Sequence, residues 1–277
     1  NILALTFTES GAYNMRRKLV ETIGAAAYRV NIHTFHGFAS SVIEKYPDHF
    51  PRIIGSTVIT ESEQIKIIEK VIKSKKIKLL RPYGDQSYYI SPILREIQIL
   101  KRENISSDQL KSSIADADDN RRPQARAVLR EELATRRRSC CRREGAASVE
   151  QTKLLKQAEK NLELAYVYDQ YEKELAKEKY YDFEDMLLEL IRTMKADGDF
   201  KLTLQEEYQY ILADEHQDAN AAQNRILELL SDFHDSPNLF IVGDDKQAIY
   251  RFQGASLDNF LYFSKKYKDA VVIDLEH

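Results

Sequence analysis

The sequence predicts an α/β fold: a parallel sheet flanked by helices, with an all-α insertion between its two halves. Three observations carry that prediction. Short apolar, strand-like runs alternate with helically spaced segments at both ends of the chain. The middle, from Thr60 to about Leu110 and again over 151–195, reads as helix. Connections that alternate strand and helix make neighbouring strands parallel, because each crossover returns the chain in the same direction.

Taken in order, NILALTFT opens with an apolar run, and SGAYNMRRKLVETIG follows with helical spacing at Met15, Leu19 and Val20 before Gly24. YRVNIHTFHGFASSVIEKY repeats the plan: Val30 and Ile32 alternate in a strand, then come a turn and a helix. SEQIKIIEKVIKS sets Ile65, Ile68 and Ile72 at helical spacing, and DFEDMLLELIRTM is strongly amphipathic. A strand then spans Tyr210–Ala213 and a helix Ala222–Leu230. NLFIVGDD is the next strand, a helix follows around Asp258–Tyr267, and DAVVIDLEH reads as a last strand. The expected division is a sheet domain over 1–60 and 166–277, interrupted by a helical insertion over 61–165.

Composition bounds the function. A chain of 277 residues can bury a sizeable core as one large domain or two ordinary ones. No apolar run approaches the roughly 18 residues a membrane span needs, and no signal peptide opens the chain, so a cytoplasmic protein is expected. The net charge of −3 gives no global pull on nucleic acid, which leaves only a local surface for such a partner. Cys140 and Cys141 are adjacent, and so suggest neither a disulfide framework nor a zinc site. Between Arg121 and Arg143 there are nine Arg and no Lys, against ten Arg and twenty-two Lys elsewhere. A DNA-facing basic helix, a solvated segment and a shifted reading frame all account for so abrupt a change, and the run receives no functional assignment.

The acids are more telling. YILADEHQDANAAQNRILELL sets Asp214 and Glu215 where an apolar strand ends. Burying unpaired charge there is costly. The acids therefore either cap a solvated turn or hold a cation and a water. A parallel sheet binds ligands outside the carboxyl ends of its strands. An Asp there can hold Mg²⁺, usually through water, and a neighbouring Glu can take a proton from an attacking water. The second such strand, LFIVGDDKQAIYRFQG, ends in Gly243-Asp244-Asp245 with Gln247 just beyond. Gln can bond a terminal phosphate or the attacking water without altering charge. Two acid-bearing strand ends, each followed by Gln, favour phosphate chemistry over capping.

LADEHQDANAAQ and VGDDKQAIYRFQGAS resemble motifs II and III of the superfamily 1A DNA helicases, the UvrD/Rep/PcrA family, whose usual text is close to DEFQD(T/V)N and VGD.DQSIYRFRGA. ILALTFTESGAYNMRRKL is similar to motif Ia, VNIHTFHGFASSVI to motif Ib, YYDFEDMLLELIRTM to the LDFDDLL segment and SPILREIQILKREN to the ISRAKN element. The resemblance implies a RecA-like, P-loop NTPase-like sheet (domain 1A) with residues 61–165 as domain 1B, and ATP with Mg²⁺ as cofactors. Asp214 and Glu215 would serve the metal, Glu215 as catalytic base, and Gln247 would contact the γ-phosphate and couple hydrolysis to DNA movement. Gln217, Asp244 and Arg251 would lie against the nucleotide. Phe7 and Thr8 from motif Ia, Thr34 and His36 from motif Ib, and Tyr250 and Phe252 from motif III would touch single-stranded DNA, with Phe252 as a stacking platform. For Phe7 and Phe35, packing between strand and helix is the competing reading.

Departures from the pattern are specific. His216 stands where the family has Phe, most simply as a packing substitute. Ser10 stands for a Lys, Gln253 for an Arg, and Lys246 for an Asp or Thr. No G-x-x-x-x-G-K-[ST] loop occurs in the chain, and the resemblance places it before residue 1. The expectation is thus an N-terminal fragment, inactive alone, of a 3′-to-5′ DNA helicase or translocase. Its partners would be single-stranded DNA, single/double-strand junctions and the second motor domain of the same parent chain. The alternatives are a RecB/AddA-type helicase–nuclease subunit and a non-catalytic DNA-binding relative.

Overall fold

The computed structural model describes residues 1–74, 76–81, 88–115, 145–233, 237–244, 259 and 261–274. In chain order its elements are β1 (Ile2–Thr6), α1 (Glu9–Ile23), β2 (Val30–Thr34), α2 (Phe35–Lys45), β3 (Thr57–Val58), α3 (Glu61–Ile72), α4 (Ile90–Arg102), α5 (Gly145–Glu178), β4 (Tyr180–Tyr181), α6 (Phe183–Ala196), α7 (Gly198–Glu207), β5 (Tyr210–Ala213), α8 (Ala221–Ser231), β6 (Leu239–Ile241) and α9 (Tyr262–Lys266). They fall into two compact units. One comprises Asn1–Val58, Gln98–Asn104 and Lys179–His277, the other Ile59–Ile97 and Ile105–Glu178.

The first unit is built on a wholly parallel sheet in the order β2-β1-β5-β6, with Ala4 opposite Ile32 and Leu212, and Leu212 opposite Phe240. The first two strand-to-helix turns are each set by a threonine. Thr8 caps α1 by accepting the Gly11 N–H at 3.0 Å, and Thr34 caps α2 by accepting the Gly37 N–H at 3.0 Å. A Cβ on Gly11 would lie 2.6 Å from Thr6 Oγ1, so that turn admits only glycine. Helix α1 stops at Gly24, whose φ of 62° suits glycine.

One face of the sheet buries Leu3, Leu5, Ile211 and Ala213 against α2, α6 and α8, through Phe38, Leu187, Leu190, Ile226 and Leu227. On the other face Ala4 and Ile32 pack with Ala12 of α1, while Tyr210, Leu212 and Phe240 of the β5–β6 half are exposed. In the second unit a Thr60/Glu63 capping box starts α3, which buries Ile67, Ile68, Val71 and Ile72 and packs along α5. Glu163 of α5 accepts the backbone N–H groups of Lys78, Leu79 and Leu80 at 2.9–3.1 Å, fixing that turn. Among the described residues no helix is long and apolar enough to cross a membrane.

Three readings of local structure need correction. The helical reading of 151–195 is interrupted by β4, which pairs in parallel with β3; two Tyr residues form a strand because a partner edge is present. Helix α7 was not foreseen at all, and its Asp197 N-cap accepts the Phe200 N–H at 2.9 Å. Residues 271–274 form no strand despite their β-branched text, and Val271, Val272 and Ile273 lie exposed. Propensity alone does not make a strand without an edge to pair with. The Arg-rich run 121–143 lies outside the described residues.

Lys101, in the last turn of α4, is wholly buried in the first unit. Its Nζ lies 2.5 Å from Asp182 Oδ2 and 2.9 Å from Asp185 Oδ1. The same acids form the capping box of α6, each accepting the other's N–H at 3.0–3.1 Å. Burial pushes the Asp185 carboxyl up, but the charge and hydrogen bond of Lys101 outweigh it and hold it below the usual carboxylate range. Removing one partner of a buried pair strands the other charge, so Lys101→Met should destabilise the chain by about 3–5 kcal/mol in urea unfolding. Adding Asp185→Asn should recover part of that loss.

Candidate functional site

The two acid-bearing strand ends meet. Asp214 follows β5 directly and donates its N–H to the Leu5 carbonyl at 2.9 Å, while Asp244 lies just beyond β6. Parallel pairing of β5 with β6 puts both at the same carboxyl edge. Asp214 is half-buried, and Glu215 is exposed. Glu215 adopts φ 53°, ψ 39°, a left-handed conformation that costs a non-glycine residue about 1–3 kcal/mol. Its surroundings hold it there. Asp214 Oδ1 accepts the Glu215 N–H at 3.0 Å, and the His216 N–H donates to the Val242 carbonyl at 3.0 Å. The buried Gln217 side chain donates to the Glu215 carboxylate and accepts the Asp244 N–H at 3.1 Å, tying one strand end to the other.

Four carboxylates, those of Asp214, Glu215, Asp218 and Asp244, belong to this stretch of the edge. Burial, then the neighbouring Glu215, pushes the Asp218 carboxyl up. Carboxylates are hard oxygen donors of the kind that suit a divalent cation such as Mg²⁺. The His216 ring is buried and tilted against Phe263 at 5.6 Å, and burial pushes it down to about 4, which accords with a packing role.

A pocket of about 430 Å³ opens at the end of β1 and β2, lined by Phe7, Thr34 and His36. Thr34 Oγ1 donates to Glu9 Oε1 at 2.8 Å. The His36 ring stacks on Phe183, with centroids 3.8 Å apart and planes at 17°. Glu184 is buried beside it, 2.8 Å from Arg102 Nε and 3.5 Å from His36 Nε2. Burial pushes the Glu184 carboxyl up, but His36 and Arg102 together bring it below its ordinary value. Asn220 and Gln223, a capping box at the start of α8, close the pocket.

Of the sequence-predicted residues, Phe7, Thr34 and His36 come together here, and Asp214, Glu215, Gln217 and Asp244 come together at the strand ends. The hydroxyl of Thr8 is engaged in capping α1, and Phe35 belongs to the core. Gln247, Tyr250, Arg251 and Phe252 lie outside the described residues. Sequence reasoning missed Glu9, Arg102, Phe183 and Glu184 as pocket residues. For the last three the signal lay in DFEDM and LKREN, read there as helix and as family segments but not as sources of site residues.

Residues 1–268 match the family described as the UvrD/REP helicase N-terminal domain. The chain is similar over its whole length to "ATP-dependent DNA helicase Rep" of Buchnera aphidicola subsp. Acyrthosiphon pisum, at 26% identity and 35% of that protein's length. It is likewise similar to the "Probable DNA helicase II homolog" of Rickettsia felis, at 28% identity and 35% of its length, and to "ATP-dependent DNA helicase PcrA" of Staphylococcus aureus, at 27% and 31%. The chain thus spans about a third of the curated relatives it matches.

The buried His216 generates a pH prediction. An unfolded histidine binds a proton as pH falls through 6.5, whereas the folded ring does so only near 4. The unfolded state therefore holds more protons across that window, and stability falls with pH there by up to about 3 kcal/mol. His216→Phe should remove this dependence, seen as a flatter urea-unfolding free energy between pH 7 and pH 4.5.

Proposed function

This chain belongs to the UvrD/Rep helicase family, and from that premise we propose that it is the N-terminal portion of an ATP-dependent 3′-to-5′ DNA helicase and translocase, acting on single-stranded DNA and at single/double-strand junctions. The observation that carries the reading is the coupled pair of strand ends, where Gln217 bridges the Glu215 carboxylate and the Asp244 backbone. Three relatives whose names specify DNA helicases, two of them ATP-dependent, support it.

In this reading Asp214 would hold Mg²⁺ with Glu215 beside it, and the ion would supply positive charge against the phosphates of the nucleotide. Glu215 accepts a proton from the attacking water, and the left-handed backbone together with the Gln217 amide holds its carboxylate. Asp244 and Gln217 line the nucleotide side. Gln247 and Arg251, beyond the second strand end, contact the terminal phosphate. Phe7, Thr34, His36, Tyr250 and Phe252 follow the DNA strand. The second motor domain of the parent supplies the opposite wall of both sites.

In the full-length parent, Glu215→Gln should lower DNA-stimulated ATP turnover by about 10²- to 10⁴-fold and leave DNA binding intact. Unchanged turnover would sink the assignment of the base. The present chain, whose sequence contains no phosphate loop, should show no DNA-stimulated hydrolysis in a phosphate-release assay. Its single-strand binding should be no tighter than about 10⁻⁴–10⁻⁶ M at physiological salt. Phe252→Ala should weaken that binding by about 1–3 kcal/mol in an anisotropy titration.

A further inference from the structure

His36 is the second residue of α2, where the N–H groups of the helix start oppose a positive charge. Its Nε2 nevertheless faces Glu184 Oε2 at 3.5 Å. Both atoms are buried, and among the described residues neither has a hydrogen-bond partner. The other oxygen of Glu184 accepts the Arg102 Nε–H at 2.8 Å, which fixes the carboxylate. A neutral imidazole cannot serve this carboxylate and an incoming anion together. With its one N–H toward Glu184, the other ring nitrogen is a bare lone pair; with the N–H elsewhere, a lone pair meets the carboxylate. The imidazolium donates from both nitrogens.

The charges around the ring point the same way. Glu184 comes from α6, Arg102 from the end of α4 and Glu9 from α1, while Asn220 and Gln223 at the start of α8 are uncharged. In β2, burial and then Arg16 hold His33 below the usual histidine range. With His36 neutral, two carboxylates against one guanidinium leave this lining negative, which opposes a phosphate. One proton on His36 cancels the excess. We propose that the pocket binds a backbone phosphate of single-stranded DNA with uptake of one proton by His36, and that Glu184, anchored by Arg102, is the positioning residue that holds the imidazolium. The proposal rests on the DNA-binding reading above and adds to it a dependence of that contact on pH.

The test uses the whole chain as wild type, His36→Gln and Glu184→Gln, the last of which keeps an oxygen for Arg102. Anisotropy titrations of a labelled oligo-dT run from about pH 8 to about pH 5.5, the range in which histidine changes charge. NMR follows the His36 ring over the same range, with and without the oligonucleotide. Uptake of one proton should tighten wild-type binding by up to about tenfold per pH unit, and His36→Gln should make the profile flat. The ring should take its proton at higher pH when oligo-dT is bound. In Glu184→Gln it should do so at a pH lower by about one unit or more, even without DNA. A flat wild-type profile, or one unchanged in His36→Gln, overturns the proposal and leaves the DNA-binding reading standing. A ring that titrates alike in wild type and Glu184→Gln overturns the role of Glu184. If wild type binds no oligonucleotide at any pH, the DNA-binding reading fails and the proposal with it.

Discussion

The buried ammonium of Lys101 is the contact on which the working end of the sheet unit depends. Two aspartates form the capping box of α6, and both are buried beside each other. Without a cation their mutual repulsion and lost hydration would oppose the helix start they are meant to stabilise. Lys101 sits in the last turn of α4, where the helix dipole favours a positive charge, and it meets the acids at the positive end of α6. Each helix end therefore carries the charge its own dipole prefers, and the two opposite charges meet. Arg52 extends the network, 2.6 Å from Glu189 and 4.0 Å from Asp185.

That arrangement places function and structure on one helical turn. Asp182 and Asp185, three apart, face inward to Lys101, while the two residues between them are left for the pocket. Glu184 turns to Arg102, the residue immediately after Lys101, so one short segment of α4 serves both the buried pair and the pocket wall. Fixing the ammonium thereby positions the guanidinium. Phe183 gains its place against His36 from the same turn. A disturbance of the buried cluster is transmitted to the pocket through a single peptide unit on each side.

How much of this the sequence disclosed follows the range of the interactions involved. The strands β1, β2, β5 and β6 and the helices α1, α2, α6 and α8 were legible, because alternating and helical spacing are local signals. Asp214 and Asp244 were legible because they end apolar runs. Residues 271–274 show where local signal misleads: β-branched text met no partner edge. Arg102, Glu184 and Phe183 were not seen as site residues, since their meeting depends on contacts between segments about 80 to 150 positions apart. Nothing in LKREN by itself points to DFEDM. The His216 substitution could be weighed from its neighbours alone, and its burial against Phe263 accords with packing.

The left-handed Glu215 shows how an exposed carboxylate can still have a fixed direction. Exposure normally frees a glutamate to sample rotamers, which weakens any role that needs aim. Here the backbone conformation and one amide hydrogen bond constrain it together. Three hydrogen bonds bracket residue 215: from its own N–H to Asp214, from the His216 N–H to Val242, and from Gln217 to its carboxylate. At about 0.5–1.5 kcal/mol net for each, they are of the size needed to offset the 1–3 kcal/mol of backbone strain. Two of them draw on groups outside the residue's own strand end, or on a side chain that also grips Asp244. The strained conformation therefore persists only while β5 and β6 are paired, and the aim of the carboxylate is a property of the sheet edge as a whole.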